Sequence, residues 1–146
     1  MKKLLVAAAL ALAPVTLAAP AAAQDLPFSY GDYWDITGVT VEDAGAAAYI
    51  DFLANRWKKQ QEFAKTKGWL KGYHVLSNLY KRPGEPDVYL IAIYDKVPTA
   101  AEATQRDKEY DAFFKTTARQ SMSESADRAK YRKVTTSMML GEMVLK

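Results

Sequence analysis

Residues 73–94, YHVLSNLYKRPGEPDVYLIAIY, decide the fold. Two runs rich in β-branched and aromatic residues, Tyr73–Tyr80 and Asp87–Tyr94, flank the turn segment Lys81-Arg82-Pro83-Gly84-Glu85-Pro86, the pattern of a β-hairpin. Pairing Tyr80 opposite Asp87 gathers Tyr73, Val75, Leu79, Val88, Leu90, Ala92 and Tyr94 on one face. The other face then holds His74, Leu76, Tyr80, Tyr89, Ile91 and Ile93. A sheet with one wet face alternates apolar and polar residues, and this hairpin does not. Both of its faces need cover.

Upstream, Gln24 to Gly31 reads as a leader, and Tyr33–Val41 reads as a strand. Glu42 and Asp43 supply an acidic helix start, with Asp43 as N-cap, and the helix is expected over Ala44–Lys67. Its apolar stripe is Ala46, Ile50, Leu53, Trp57 and Ala64, widened by Tyr49, Phe52 and Phe63, and Gly68 is the residue that stops it. Downstream, Thr99 and Glu102 have the spacing of a capping box and open a second helix carrying Ala103, Tyr110, Phe113 and Phe114 inward. That helix is expected to break between Thr116 and Ser123, with a short helix over Ser123–Arg132. Val134–Leu145 reads as the last strand.

Strand, helix, strand, strand, helix, strand is the split βαβ order, so the fold class expected is α+β, ferredoxin-like βαββαβ with an antiparallel sheet. Two helices can cover only one sheet face, and a second copy of the chain is the simplest cover for the other, which predicts a homodimer. On this element order, across Tyr33–Leu145, the chain resembles the dimeric α+β barrel superfamily, which includes antibiotic-biosynthesis-type monooxygenases, EthD-like proteins and NIPSNAP-like proteins. The resemblance is one of architecture, with no diagnostic motif, so it transfers no family site to this chain.

The first residues speak to location. Lys2 and Lys3 precede an apolar run from Leu4 to Leu12, and Ala21-Ala22-Ala23 offers small residues for cleavage before Gln24. This is the pattern of a signal peptide over residues 1–23, which predicts a periplasmic or secreted protein with a single domain over residues 24–146. No later stretch approaches membrane-spanning length, so no membrane attachment is expected after cleavage. The chain has no cysteine, which excludes disulfides, thiolate metal sites and a cysteine nucleophile. Loss of Lys2 and Lys3 from a net charge of +3 leaves a nearly neutral domain, so no nucleic-acid partner is expected.

No phosphate-binding loop, dinucleotide fingerprint or serine nucleophile elbow is present. His74 is the single histidine and reads either as a general base or axial ligand or as a packed ring with a local hydrogen-bond partner. A single histidine makes no ordinary multi-histidine metal site, so metal and cofactor are expected to be none, although the resemblance leaves haem open. Asn78 and Tyr89 face each other in the expected register and share the His74 face. Asp35 joins them if the first strand is suitably aligned. Trp69 or Trp34 is placed near the mouth of the same pocket. Few polar groups in an apolar surround is how small-molecule sites are built. The Arg119–Lys133 segment mixes charges as a solvated face does, with anion binding as the lesser reading. The expected function is binding of a small apolar or aromatic molecule between sheet and helices. The alternative is a cofactor-independent monooxygenase or lyase acting on an aromatic compound, as the resemblance implies, with no catalytic residue identified.

Overall fold

A computed structural model of the chain describes residues 26–146. The signal segment expected at residues 1–23 lies outside the described residues. The described chain runs β1 (Phe28–Val41), α1 (Ala46–Phe52), a π-helical turn (Leu53–Trp57), α2 (Lys58–Thr66), β2 (Gly72–Ser77), β3 (Val88–Tyr94), α3 (Ala100–Phe114), α4 (Ala118–Arg128) and β4 (Arg132–Leu145). It is an α+β fold. The four strands form one antiparallel sheet in the order β2-β3-β1-β4.

Cross-strand partners share a face, which sorts the sheet. Tyr33, Asp35, Thr37 and Val39 stand with Tyr94, Ala92, Leu90 and Val88 of β3, and Tyr73 with Ala92. The helices lie on this side, because Trp57 meets the Tyr73 ring edge-on at 5.4 Å and Glu62 accepts a hydrogen bond from the Tyr73 hydroxyl. The opposite face carries Trp34, Ile36, His74, Leu76, Tyr89, Ile91, Ile93, Met138 and Leu140. Leu76, Met138 and Leu140 are 50%, 40% and 48% exposed there. Val39, Tyr49, Leu70 and Ile91 are the buried apolar residues of the described chain.

The hairpin pairs two residues tighter than the expected register: Ser77 faces Val88, and β2 ends there instead of at Tyr80. Asp87 explains the difference. Its backbone N–H donates to the Val39 carbonyl at 2.9 Å, and its carboxylate accepts from the Val41 N–H at 2.9 Å and from Lys81 at 2.8 Å. The loop is thereby tied to β1, and the hairpin ladder ends one bond beyond Ser77 and Val88, where the Asn78 N–H donates to the Asp87 carbonyl at 2.8 Å. A slip of two residues keeps every side chain on its face, so the sorting expected from the sequence stands despite the wrong register.

β1 begins at Phe28 rather than Tyr33, since Phe28–Tyr30 pair with Met143–Leu145 beyond the reach of β3. The first helix starts at Ala46, with Gly45 and not Asp43 as N-cap. Ala44 turns the chain at φ 66°, and a Cβ on Gly45 would come within 2.5 Å of the Tyr131 carbonyl oxygen. Tyr49, not Ile50, fills the core: Tyr49 is 2% exposed and Ile50 63%. The π turn adds residues to one helical turn, so no single 3.6-residue stripe runs through the rod. Gly68 ends it at φ 70°, as a C′ residue should.

The Thr99–Glu102 capping box is formed in full. Phe113 is half exposed yet stacks on Phe63 at 4.3 Å. The break falls at Lys115, just before the window of Thr116 to Ser123 expected from the sequence, in the left-handed region at φ 50°. A second capping box, Thr117 with Gln120, starts α4 at Ala118 and not Ser123. Among the described residues no helix is long and apolar enough to cross a membrane.

Candidate functional site

Sheet and helices part over the middle of β1 to leave a cavity of about 360 Å³. Its floor is Asp35, Tyr94 and Met139 from β1, β3 and β4. Ala64 and Trp69 form one wall, and Pro98, Ala103 and Arg106 form the other. Asp35 arrives there because it alternates with Trp34 and Ile36, which face the other way, and because the Ala92 and Met139 positions beside it share its side. Trp69 follows the helix stop at Gly68 and is fixed by an edge-on contact with Phe63 at 5.5 Å. Ala103 and Arg106, one turn apart on α3, point at the same wall. The Arg106 guanidinium lies 5.5 Å from the centroid of the Trp69 indole.

The Asp35 carboxylate makes no hydrogen bond or ion pair with any of the described residues. Burial pushes its carboxyl above the ordinary Asp range. Tyr94 is also raised, by burial first and then by the Asp35 charge, while Arg106 opposes. A partly dehydrated carboxylate, a phenol and a guanidinium thus converge on a mostly apolar space. The carboxylate can accept a hydrogen bond or a proton, the phenol can donate, and the indole and Arg106 offer a flat, cationic edge. A larger groove of about 480 Å³ runs over Phe63 and Phe113 on the outer side of the helices and holds no buried polar group.

The sequence-derived candidates do not converge. Trp69 lines the cavity, and Asp35 forms its floor. His74, Tyr89 and Trp34 share the opposite face of the sheet, where His74 is exposed and pairs with Ile91, and Tyr89 pairs with Leu76. The cavity therefore offers no imidazole to a haem iron. Asn78 does not face Tyr89. It follows β2, and its side-chain amide donates to Glu85 at 3.2 Å and to the Pro86 carbonyl at 3.1 Å, closing the loop. Tyr94 and Arg106 escaped the sequence reading, although the spacing of Thr99, Ala103, Arg106 and Tyr110 on one helical face is a signal for the second. Among the described residues no group of three or more His, Asp or Glu is placed to hold a metal ion. No protein-family model, no curated protein and no solved structure matches this chain, so the chemistry of the cavity rests on its geometry.

Proposed function

We propose that the chain is an exported protein that binds a small, flat, largely apolar or aromatic molecule between its sheet and its helices. The observation that carries this reading is the partly dehydrated Asp35 carboxylate, without a hydrogen-bond partner, facing a mostly apolar cavity that Tyr94, Arg106 and Asp107 also border. A half-buried carboxylate without a hydrogen-bond partner, lining a cavity large enough for a small molecule, is open to a partner that comes from outside. The occupant's protic group, a phenol or an amine, meets Asp35, and its ring lies along Trp69 and Arg106. The second reading, a cofactor-independent oxygenase or lyase, draws on the same carboxylate. A base whose affinity for a proton is raised by burial can deprotonate a phenol and make it electron-rich.

The sheet order, with helices on one face, supports a ferredoxin-like fold, and the bare face supports a homodimer of the α+β barrel kind. In that assembly Trp34, His74 and Tyr89 belong to the contact between copies, and Trp69 stays with the ligand. The export reading rests on the pattern of residues 1–23.

Mass spectrometry of whatever natively produced protein releases on denaturation tests the binding reading. Ala103→Trp, which fills the cavity from α3, is the control. A small aromatic molecule released by the wild type and absent from the variant is expected. Equal release from both, or none from either, would mean that the cavity is not the site.

A further inference from the structure

The Asp35 cavity is unbalanced in charge. Two carboxylates border it, Asp35 on the sheet floor and Asp107 on α3, against one guanidinium, that of Arg106. Among the described residues no ion pair or hydrogen bond joins Arg106 to either carboxylate. The Arg106 guanidinium lies instead over the Trp69 indole, 5.5 Å from its centroid. Asp107 is exposed at the rim, whereas Asp35 and Arg106 are half-buried. The other walls bring the Tyr94 phenol and otherwise only uncharged side chains, so no further charge borders the space. Tyr94 stands diagonally across from Asp35 on the same face, one strand over, and its hydroxyl oxygen is a second acceptor in the cavity.

An occupant of this cavity displaces water from the Asp35 carboxylate. A charge stripped of water with no opposite charge beside it is costly. A neutral donor such as a phenol gives Asp35 a hydrogen bond and leaves its charge in place. A carboxylate on the occupant would add a second negative charge beside the first. An ammonium gives the hydrogen bond and cancels the charge together, and charge-assisted bonds of this kind are the stronger ones. Asp107 at the rim favours the entry of the same sign of charge.

We propose that the occupant of the Asp35 cavity is an arylalkyl primary amine, its ammonium against Asp35 and Tyr94 and its ring along Trp69. The inference rests on the reading of the cavity as a small-molecule site and narrows it to cations.

Calorimetric titration of the full chain with three probes of one shape tests it: phenethylamine, para-ethylphenol and phenylpropionate. At neutral pH phenethylamine should bind about tenfold or more tighter than para-ethylphenol, with phenylpropionate the weakest. Asp35→Asn should abolish that advantage and still bind para-ethylphenol, which shows that the cavity remains folded. Phenethylamine should weaken as pH falls from about 7 to about 4, where Asp35 takes up its proton, while para-ethylphenol holds or tightens. Para-ethylphenol binding as tightly as phenethylamine, or an amine advantage kept in full by Asp35→Asn, overturns the proposal and leaves the cavity a site for neutral aromatic molecules. Binding of none of the three overturns the proposal together with the reading of the cavity on which it rests.

Discussion

A carboxylate raised by burial works against folding wherever it is ionised, and Asp35 is such a group. Its folded form holds a proton more tightly than the unfolded chain does, so its contribution to stability falls as pH rises through the ordinary Asp range and beyond. Asp35→Asn should therefore raise the melting temperature at neutral pH, and the gap should close near pH 3, where both forms are uncharged. The same variant should lose the cavity's ligand. Equal melting temperatures at both pH values would show that Asp35 is solvated in practice. Ala44 offers a second test. It sits at φ 66°, where a Cβ crowds the following carbonyl, so Ala44→Gly should stabilise the protein by about 1 kcal/mol in chemical denaturation. Glycine normally costs stability through chain entropy, which makes a gain here diagnostic. At this scale the sequence was a partial guide. Asp35 could be named as a pocket residue only on condition of strand alignment, and Asn78 looked like a site residue because nothing local reveals that its amide closes a loop onto Glu85 and Pro86.

At the scale of elements, α3 depends on its capping box. Thr99→Ala removes the acceptor for the Glu102 N–H and should cost about 1 kcal/mol. The Lys96 ammonium, then the Thr99 N–H and hydroxyl, hold the Glu102 carboxyl down to about 2. Its stabilising contribution is full above the ordinary Glu range and should fade as pH drops from about 4.5 to about 2, so the Thr99→Ala deficit should shrink in acid melts. Gly38 tests the loop. A Cβ there would lie 2.5 Å from Pro86 Cγ, and Gly38→Ala should cost about 1–3 kcal/mol by forcing the proline off the strand. Helix type and strand type were legible because capping boxes and apolar runs are local signals. The hairpin's faces were legible too, because parity survived the slip in register. The register itself was not, since Asp87 fixes it by bonding to β1, forty-odd residues upstream. The N-cap at Gly45 was hidden for the same reason: the Tyr131 carbonyl that crowds it is far along the chain.

Across the whole molecule, the bare sheet face dominates. Apolar patches of this kind on a folded surface mark contact sites, and a two-fold pairing lets one face cover itself. Light scattering of the wild type should give twice the mass of a single chain. Leu76→Lys combined with Met138→Lys, which puts charge in the middle of that face, should give the single mass with the helical signal intact. A wild type that stays single at micromolar concentration would sink the pairing. From the sequence alone the need for cover could be read, because both hairpin faces are apolar. The cavity could not, because its walls come from α2, α3 and three strands whose approach is a matter of packing.

One further consequence lies in the pairing of Phe28 with Leu145, with Lys146 donating to the Pro27 carbonyl at 3.0 Å. Among the described residues the first strand finds its long partner only in β4, the strand farthest from it in sequence. Contacts of such separation close slowly, since a long loop must be gathered before any bond repays it. A ribosome releases Phe28 well before Leu145, so the sheet stays incomplete until β4 has emerged. The order of the strands thus acts as a timer, holding the sheet open during synthesis until β4 arrives to pair with β1.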